Sequence, residues 1–418
     1  MIYWSRITPE KTALCDYECI TYGQLLEKAL EKTYGGRVLF AARNSVGAFT
    51  TLLGLLHGGG VVAIVDPLTV SEDLKYIIED FSPEIVVGDG EFIKNNINIL
   101  SKYRYIDEKL VENGRYTAEG QFVMYYAGVV GRTMQVIHNV TSLWICAQSM
   151  ALAMRLRPED VVYISAPITH VLGLSTAFAS LAAGASIYLM KRLEEKVLEQ
   201  LKEATVIVGA PAFYIELLKM GVDRLGAKFA ISGGAPLPPE AKNEFEKRTG
   251  VKILQIYGLT EGLVVTFEPP QLHGRGSIGI PLPLVEVKLA QDGELLVKSP
   301  WNMVGYKEPE ETRKAFEGGW LKTGDLMEMR EGALYFRGVK KRMIKYKGYP
   351  IFPRDLEEIL KGHPAVVNAR VVGEPHPEYG EIPVAYVKTG QPVSEEELLN
   401  YVNSRVAFYK KLRKLYLA

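Results

Sequence analysis

The strongest constraint on the fold is an alternation through the first two-thirds of the chain, where short apolar runs trade places with amphipathic segments. Strand-length runs stand at Val38–Ala42, Val61–Val65, Ile85–Val87, Phe122–Tyr126, Val161–Ser165, Ser186–Leu189, Thr205–Val208, Phe229–Ser232 and Ile253–Tyr257. Helical patterns fill several of the gaps, at Tyr22–Glu31, Val46–Leu56, Val140–Arg155 and Pro239–Arg248. In the last of these, Pro239 takes the first helical position and Gly250 follows the end, the asymmetry that helix termini favour. Strands alternating with helices predict an α/β chain of helix-covered, mainly parallel sheets.

From about Gly276 the texture changes. Short β-like runs at Val285–Leu289, Glu294–Val297 and Ala333–Phe336 are punctuated by Asp292-Gly293 and Glu331-Gly332, which predicts an antiparallel, barrel-like part. Beyond about Lys341 comes a smaller α+β pattern, with a helix at Asp355–Leu360 and strands at Val366–Val372 and Ile382–Val387. Ser394 and Glu397 form a capping box that opens a last helix. The expected organisation is a large N-terminal domain over 1–340 and a short C-terminal domain over 341–418.

At 418 residues the chain exceeds one compact domain. Its 49 basic residues balance 49 acidic ones, so charge gives no reason to expect nucleic acid or a membrane surface as partner. The longest apolar-leaning stretch, Val140 to Met154, is interrupted by Thr141, Ser142, Gln148 and Ser149 and is too short to span a bilayer. No signal peptide is legible at the N-terminus. Cys15, Cys19 and Cys146 have no zinc-like spacing, which fits a reducing cytoplasm.

Five stretches carry candidate chemistry. "QFVMYYAGVVGRTMQVIHN" has the layout of a phosphate loop, with a strand, then Gly128, Gly131 and Arg132, then a helix-like segment. "ISGGAPLPPE" sets Gly233 and Gly234 between a strand and a helix start, where backbone can approach an anion closely. "IYGLTEG" puts Tyr257, Gly258, Thr260 and Glu261 after a buried strand, offering a ring, a hydroxyl and a carboxylate for a stacked base, a phosphate and Mg²⁺. "GWLKTGDL" sets Asp325 after glycines, either as a ribose-binding carboxylate or as part of a simple turn. "SAPITHVLGL" ends a strand with His170.

In order and spacing these stretches resemble the adenylate-forming superfamily of acyl- and aryl-CoA synthetases, luciferases and peptide-synthetase adenylation domains. "ITYGQLLEKA", "APITHVLGL", "SGGAPL", "YGLTE", "GWLKTGDL" and "KKRMIKYKGYPIFPRDLEE" follow the family's order. The resemblance implies a ligase that joins a carboxylic acid to the α-phosphate of ATP and then passes the acyl group from AMP to coenzyme A. It further implies that Glu261 holds Mg²⁺, Thr260 meets the α-phosphate, and Tyr257 with the Gly233, Gly234, Ala235 and Pro236 backbone flanks adenine. Asp325 is then the ribose ligand, and His170 stands where acyl pocket and nucleotide meet. Lys341 is the hinge, and Gly348 lines the pantetheine tunnel.

The chain departs from the family pattern at three places. Ala127, Val129, Val130 and Met134 stand where the phosphate loop carries hydroxyls and a lysine, which leaves Gly128, Gly131 and Arg132. Val339 replaces an arginine before the hinge, with Arg337 and Lys340 as candidate substitutes. The chain closes on "YKKLRKLYLA", a helix-like run short of the family's C-terminal lysine, so Lys410, Lys411 and Lys414 are expected in structural or solvent-facing roles. Three readings stay open: an ATP-dependent acyl-CoA ligase, a degenerate AMP- or acyl-binding homologue with a regulatory role, and an enzyme of the thioester half-reaction alone. A homo-oligomer or a partner subunit that completes the site also stays open. The segments Tyr163–Thr176, Pro211–Tyr214 and Gly233–Leu237 suggest a pocket for an apolar aliphatic or aromatic acid.

Overall fold

The computed structural model describes residues 8–108, 120–127, 133–340, 344–351 and 353–417. Two helix-covered sheets form its bulk. A seven-stranded sheet runs in the order Gly305–Tyr306, Thr133–Asn139, Gln121–Ala127, Val61–Ile64, Arg37–Ala41, Ile85–Gly88, Tyr105–Asp107. A nine-stranded sheet contains Ile253–Leu259, Phe229–Ser232, Val206–Gly209, Val161–Ile164, Ser186–Leu189 and Thr12–Cys15 as one parallel set, with antiparallel strands at both ends.

The helices Val46–His57, Val140–Ala153 and Val171–Ala183 carry the packing between these sheets. One continuous core takes Phe40, Val62 and Phe122 from the first sheet, Val162, Val208 and Ile231 from the second, and Phe49, Leu143 and Phe178 from the helices. Apolar residues all round such helices are what burial between two layers demands. The Phe178 ring meets Phe49 and Trp144 edge-on at 6.0 and 4.7 Å.

A five-stranded antiparallel sheet of Glu286–Leu289, Glu294–Lys298, Phe316–Glu317, Trp320–Arg330 and Ala333–Val339 makes the barrel-like part. The last sheet holds Ile344–Tyr346, Tyr349–Ile351, Val366–His376, Gly380–Thr389 and Lys414–Leu417, covered by helices Pro353–Lys361 and Glu395–Asn403 over a core of its own.

Three local expectations are corrected. The run Thr133–Asn139 is a strand paired antiparallel with Gln121–Ala127, not a helix. Its Val136 and Ile137 are β-branched and suit the pleat. The segment that follows residues 128–132 is therefore a strand, not the helix start expected there. The "YKKLRKLYLA" run is likewise a turn followed by strand Lys414–Leu417, parallel to Gly380–Thr389. Cys15 and Cys19, expected as thiols, form a disulfide across the antiparallel pair Thr12–Cys15 and Cys19–Thr21, while Cys146 is free and buried. Among the described residues no helix is long and apolar enough to cross a membrane.

Candidate active site

Parallel strands deliver their following loops to one edge, and the site is assembled there. Asp66 follows Val61–Ile64, His170 caps Val171–Ala183, the 233–238 connection follows Phe229–Ser232, and Thr260 and Glu261 form the turn after Ile253–Leu259. Asp66, His170, Gly234, Gly258, Thr260 and Glu261 line one cavity of about 250 Å³, with Asp325 as a further wall. Gly233, Ala235 and Pro236 belong to the same connection as Gly234.

Asp325 lies inside the long strand Trp320–Arg330 rather than in a free turn. Two extra residues bulge there against Glu294–Lys298, and Gly324 takes φ +74°, a conformation glycine adopts without penalty. The bulge is held by the Thr323 hydroxyl, which accepts from the Asp325 amide at 3.1 Å, and by Glu294, which accepts from the Gly324 amide at 2.9 Å. Asp325 is 6% exposed and accepts the Tyr257 hydroxyl at 2.7 Å. Burial pushes its carboxyl up; Lys345 and the Tyr257 hydroxyl offset part of that rise. The Tyr257 ring is itself buried and reaches the cavity through this bond.

Glu261 is 6% exposed and accepts the Tyr306 hydroxyl at 2.6 Å. The Thr260 carbonyl meets His138 Nε2 at 2.8 Å. Burial holds the His138 imidazole down at about 4, hence neutral and able to donate. Tyr306 and His138 hold Glu261 and the Thr260 carbonyl, contacts that sequence reasoning missed because only the topology brings them here. Among the described residues no group of three or more His, Cys, Asp or Glu could hold a metal. One carboxylate such as Glu261 suits Mg²⁺ when substrate phosphates supply other oxygens.

The hairpin Ile344–Tyr346/Tyr349–Ile351 brings Gly348 to the same cavity. Lys347 and Gly348 take φ +51° and +84°, the pair of left-handed residues of a type I′ turn. A Cβ on Gly348 would lie 3.6 Å from the Ala210 Cβ, so the turn presses close to the large sheet. Beside it, Tyr349 meets the His170 ring edge-on at 5.4 Å and stacks on Tyr409 at 4.5 Å.

A second cavity, about 1060 Å³, lies on the other side of Asp325 and shares Glu261 and Thr323 with the first. Met134 and Val339 are in its wall, where the family pattern has a lysine and an arginine. Lys340 does not substitute, because Asp292 and Glu294 hold its ammonium at 2.5 and 2.8 Å. The cation that does lower Asp325 is Lys345, from the C-terminal hairpin. The phosphate-loop residues Gly128, Val129, Val130, Gly131 and Arg132 and the hinge Lys341 lie outside the described residues, as does the Arg337 side chain.

Lys410 is neither helical nor solvent-facing. It is 5% exposed, lines the smaller cavity, and pairs with Asp355 at 3.1 Å and Asp73 at 3.9 Å. Burial opposes its charge, but Tyr409, Asp73 and Asp355 outweigh it and hold the ammonium above its usual range. The acid-pocket expectation is redrawn in part. Tyr163, Phe213 and Tyr214 belong to a core cluster, while Ile64, Val65, Ile77 and Met124 join Val171 and Leu172 as apolar walls.

Two family profiles match in chain order: "AMP-binding enzyme" over residues 127–307 and "AMP-binding enzyme C-terminal domain" over 355–418. The chain belongs to the adenylate-forming superfamily. It is 28% identical to a 2-succinylbenzoate–CoA ligase of Bacillus cereus (strain Q1), over 98% of this chain and 92% of that one. The solved o-succinylbenzoate CoA synthetase of Bacillus subtilis, bound with a product analogue, is 25% identical and superposes with a TM-score of 0.89 over 99% and 93% of the two chains. A malonyl-CoA ligase carrying methylmalonyl-CoA and AMP is 26% identical, with a TM-score of 0.86 over 98% and 96%. This superfamily member thus sits among CoA ligases.

Proposed function

We propose that this chain is an AMP-forming acid–thiol ligase that uses ATP, Mg²⁺ and coenzyme A. The observation that carries the reading is the convergence of Thr260, Glu261, Asp325 and His170 on one cavity that the Gly348 turn also enters. In the first half-reaction an acid carboxylate attacks the α-phosphate of ATP and pyrophosphate leaves. In the second, a thiol takes the acyl group and AMP leaves.

In this reading Asp325 holds the ribose hydroxyls, the Gly233–Pro236 backbone flanks adenine, and Thr260 donates to the α-phosphate. Glu261 holds Mg²⁺, which supplies charge neutralisation on the phosphates when bound. Residues 1–340 act as the nucleotide- and acid-binding domain, and 341–418 turn about Lys341 between the half-reactions. The apolar walls favour an apolar acid, and pantetheine passes Gly348.

A second reading, an enzyme of the thioester half alone, draws on one specific observation. The large cavity presents Met134 and Val339 where charge-assisted hydrogen bonds to phosphate, worth about 1.5–3 kcal/mol each, are expected. Pyrophosphate exchange into ATP with benzoate, hexanoate, 2-succinylbenzoate and malonate separates the two. Exchange with any of them supports the full ligase. No exchange, together with CoA thioester made from benzoyl-adenylate, leaves the half-reaction. Neither exchange nor AMP binding by calorimetry would reduce the scaffold to a partner-binding role.

A further inference from the structure

The groups assigned so far hold a nucleotide, yet none of them removes a proton. The first half-reaction needs no base, because a carboxylic acid is already ionised at neutral pH, its ordinary pKa lying near 4. The second does, since a thiol of pKa about 8.5 is mostly protonated there and only the thiolate attacks well. A proton acceptor is therefore to be sought where the thiol arrives, next to Gly348.

His170 stands at that place. Its Nε2 lies 2.6 Å from Asp66 Oδ2, and its ring meets Tyr349, the neighbour of Gly348. Burial pushes the Asp66 carboxyl up, but the bond and charge of His170 and the Leu68 amide outweigh it and hold it below the usual range. An ionised carboxylate only accepts, so Nε2 carries the hydrogen, and in the neutral imidazole the lone pair is the one on Nδ1. No other hydrogen bond of this side chain exists among the described residues. The His170 side chain is 36% exposed against 13% for Asp66. One ring nitrogen is thus anchored while the accessible ring faces the cavity.

We propose that His170, oriented by Asp66, accepts the proton of the attacking thiol in the second half-reaction, an inference that rests on the ligase reading above. The S–H bond breaks towards Nδ1 as sulfur bonds to the acyl carbon. The bond from that carbon to the phosphate oxygen breaks, and AMP leaves with the electron pair. The imidazolium left behind faces Asp66, which acts as a positioning residue.

The other groups around the ring do not compete for this role. Tyr349 and Tyr409 are pushed up by burial, Tyr409 to about 12, and do not ionise near neutrality. Lys410 is held protonated between Asp355 and Asp73, and Lys345 is a cation beside Asp325. Tyr125, pushed up by burial, is bonded to Asp80, and Glu261 already accepts from Tyr306.

The test follows transfer from synthetic benzoyl-adenylate and hexanoyl-adenylate to coenzyme A at saturating concentrations, as a function of pH. His170→Gln is expected to lower the rate about a hundredfold at neutral pH, within the span of general-base catalysis. The gap then narrows as pH passes the thiol's own ionisation near 8.5, since free thiolate needs no base. Asp66→Asn should give a smaller loss with the same narrowing. Variant and wild-type profiles that run parallel at every pH, or equal rates, would overturn the inference alone. A wild type that makes no thioester from either adenylate overturns the ligase reading with it, a result visible before any variant is made.

Discussion

The Tyr257 hydroxyl donates to Asp325 Oδ2 across 2.7 Å, with both side chains buried, so the residue expected at adenine and the residue expected at ribose are one hydrogen-bonded unit. In the ligase reading Asp325→Ala removes the hydrogen bonds offered to the ribose, each worth about 1.5–3 kcal/mol. AMP affinity measured by calorimetry should fall at least tenfold. Tyr257→Phe should weaken AMP less but cost about 1–3 kcal/mol of stability in urea, because a buried carboxyl loses a donor. An unchanged AMP affinity in Asp325→Ala removes that residue from the nucleotide site.

Glu268 gives a pH prediction. It is 1% exposed, its Oε2 accepts from the Gln255 amide at 2.9 Å, and its Oε1 is buried without a partner among the described residues. Burial pushes its carboxyl up to about 7 from 4.5, and Lys242 offsets only part of this. The folded state therefore binds the proton more tightly than the unfolded state. Stability contributed here is full below about pH 4.5 and is lost as pH rises through 7, by up to about 3 kcal/mol. Glu268→Gln should flatten that part of the stability–pH curve; a curve of unchanged slope contradicts the assignment.

Lys410 ties the C-terminal sheet to helix Ser71–Phe81 through Asp73, and to helix Pro353–Lys361 through Asp355. Removing one partner of a buried ion pair strands the other charge. Asp355→Ala should cost about 3–5 kcal/mol, and Lys410→Met with Asp355→Asn together should recover much of it. Denaturant melts of the single and double variants measure this. Lys410→Met alone should also speed proteolysis between the large sheets and the C-terminal part.

The Gly348 turn sets a steric prediction. Leucine there meets both the strain of φ +84° and the Ala210 side chain. Thioester formation from benzoyl-adenylate should fall about a hundredfold, since an ångström of misplacement is enough for that. Coenzyme A turnover, compared with AMP binding in the same variant, tells obstruction of the thiol from collapse of the site.

Much of the fold is legible in sequence, and the reasons differ by element. Helix Tyr22–Glu31 can be read to the residue because Thr21 and Gln24 cap each other reciprocally, at 3.0 and 3.3 Å. Helix Ser71–Phe81 escapes such reading: Val70 precedes it and no side chain caps it. Helix Val171–Ala183 escapes for the opposite reason, since it is apolar on every side and shows no polar face. At the site, Asp325, Thr260, Glu261 and His170 announce themselves by order along the chain. Tyr306, His138, Lys345 and Lys410 do not, because their roles depend on which strands lie side by side and on a buried turn near residue 410. Asp66 is hidden likewise, being one loop aspartate among many until His170 is placed against it.

The strand Thr133–Asn139 is pinned by groups away from its loop end. Gln135 donates to Asp80 at 2.7 Å, Val136 and Ile137 pair with Tyr306 and Gly305, and His138 meets the Thr260 carbonyl. Tyr306 in turn holds Glu261. The supports described for Thr260 and Glu261 thus spring from the body of the paired strands. A change within Thr133–Asn139 or Gly305–Tyr306 therefore reaches Thr260 and Glu261 through the sheet, from strands that stand far from both in the chain.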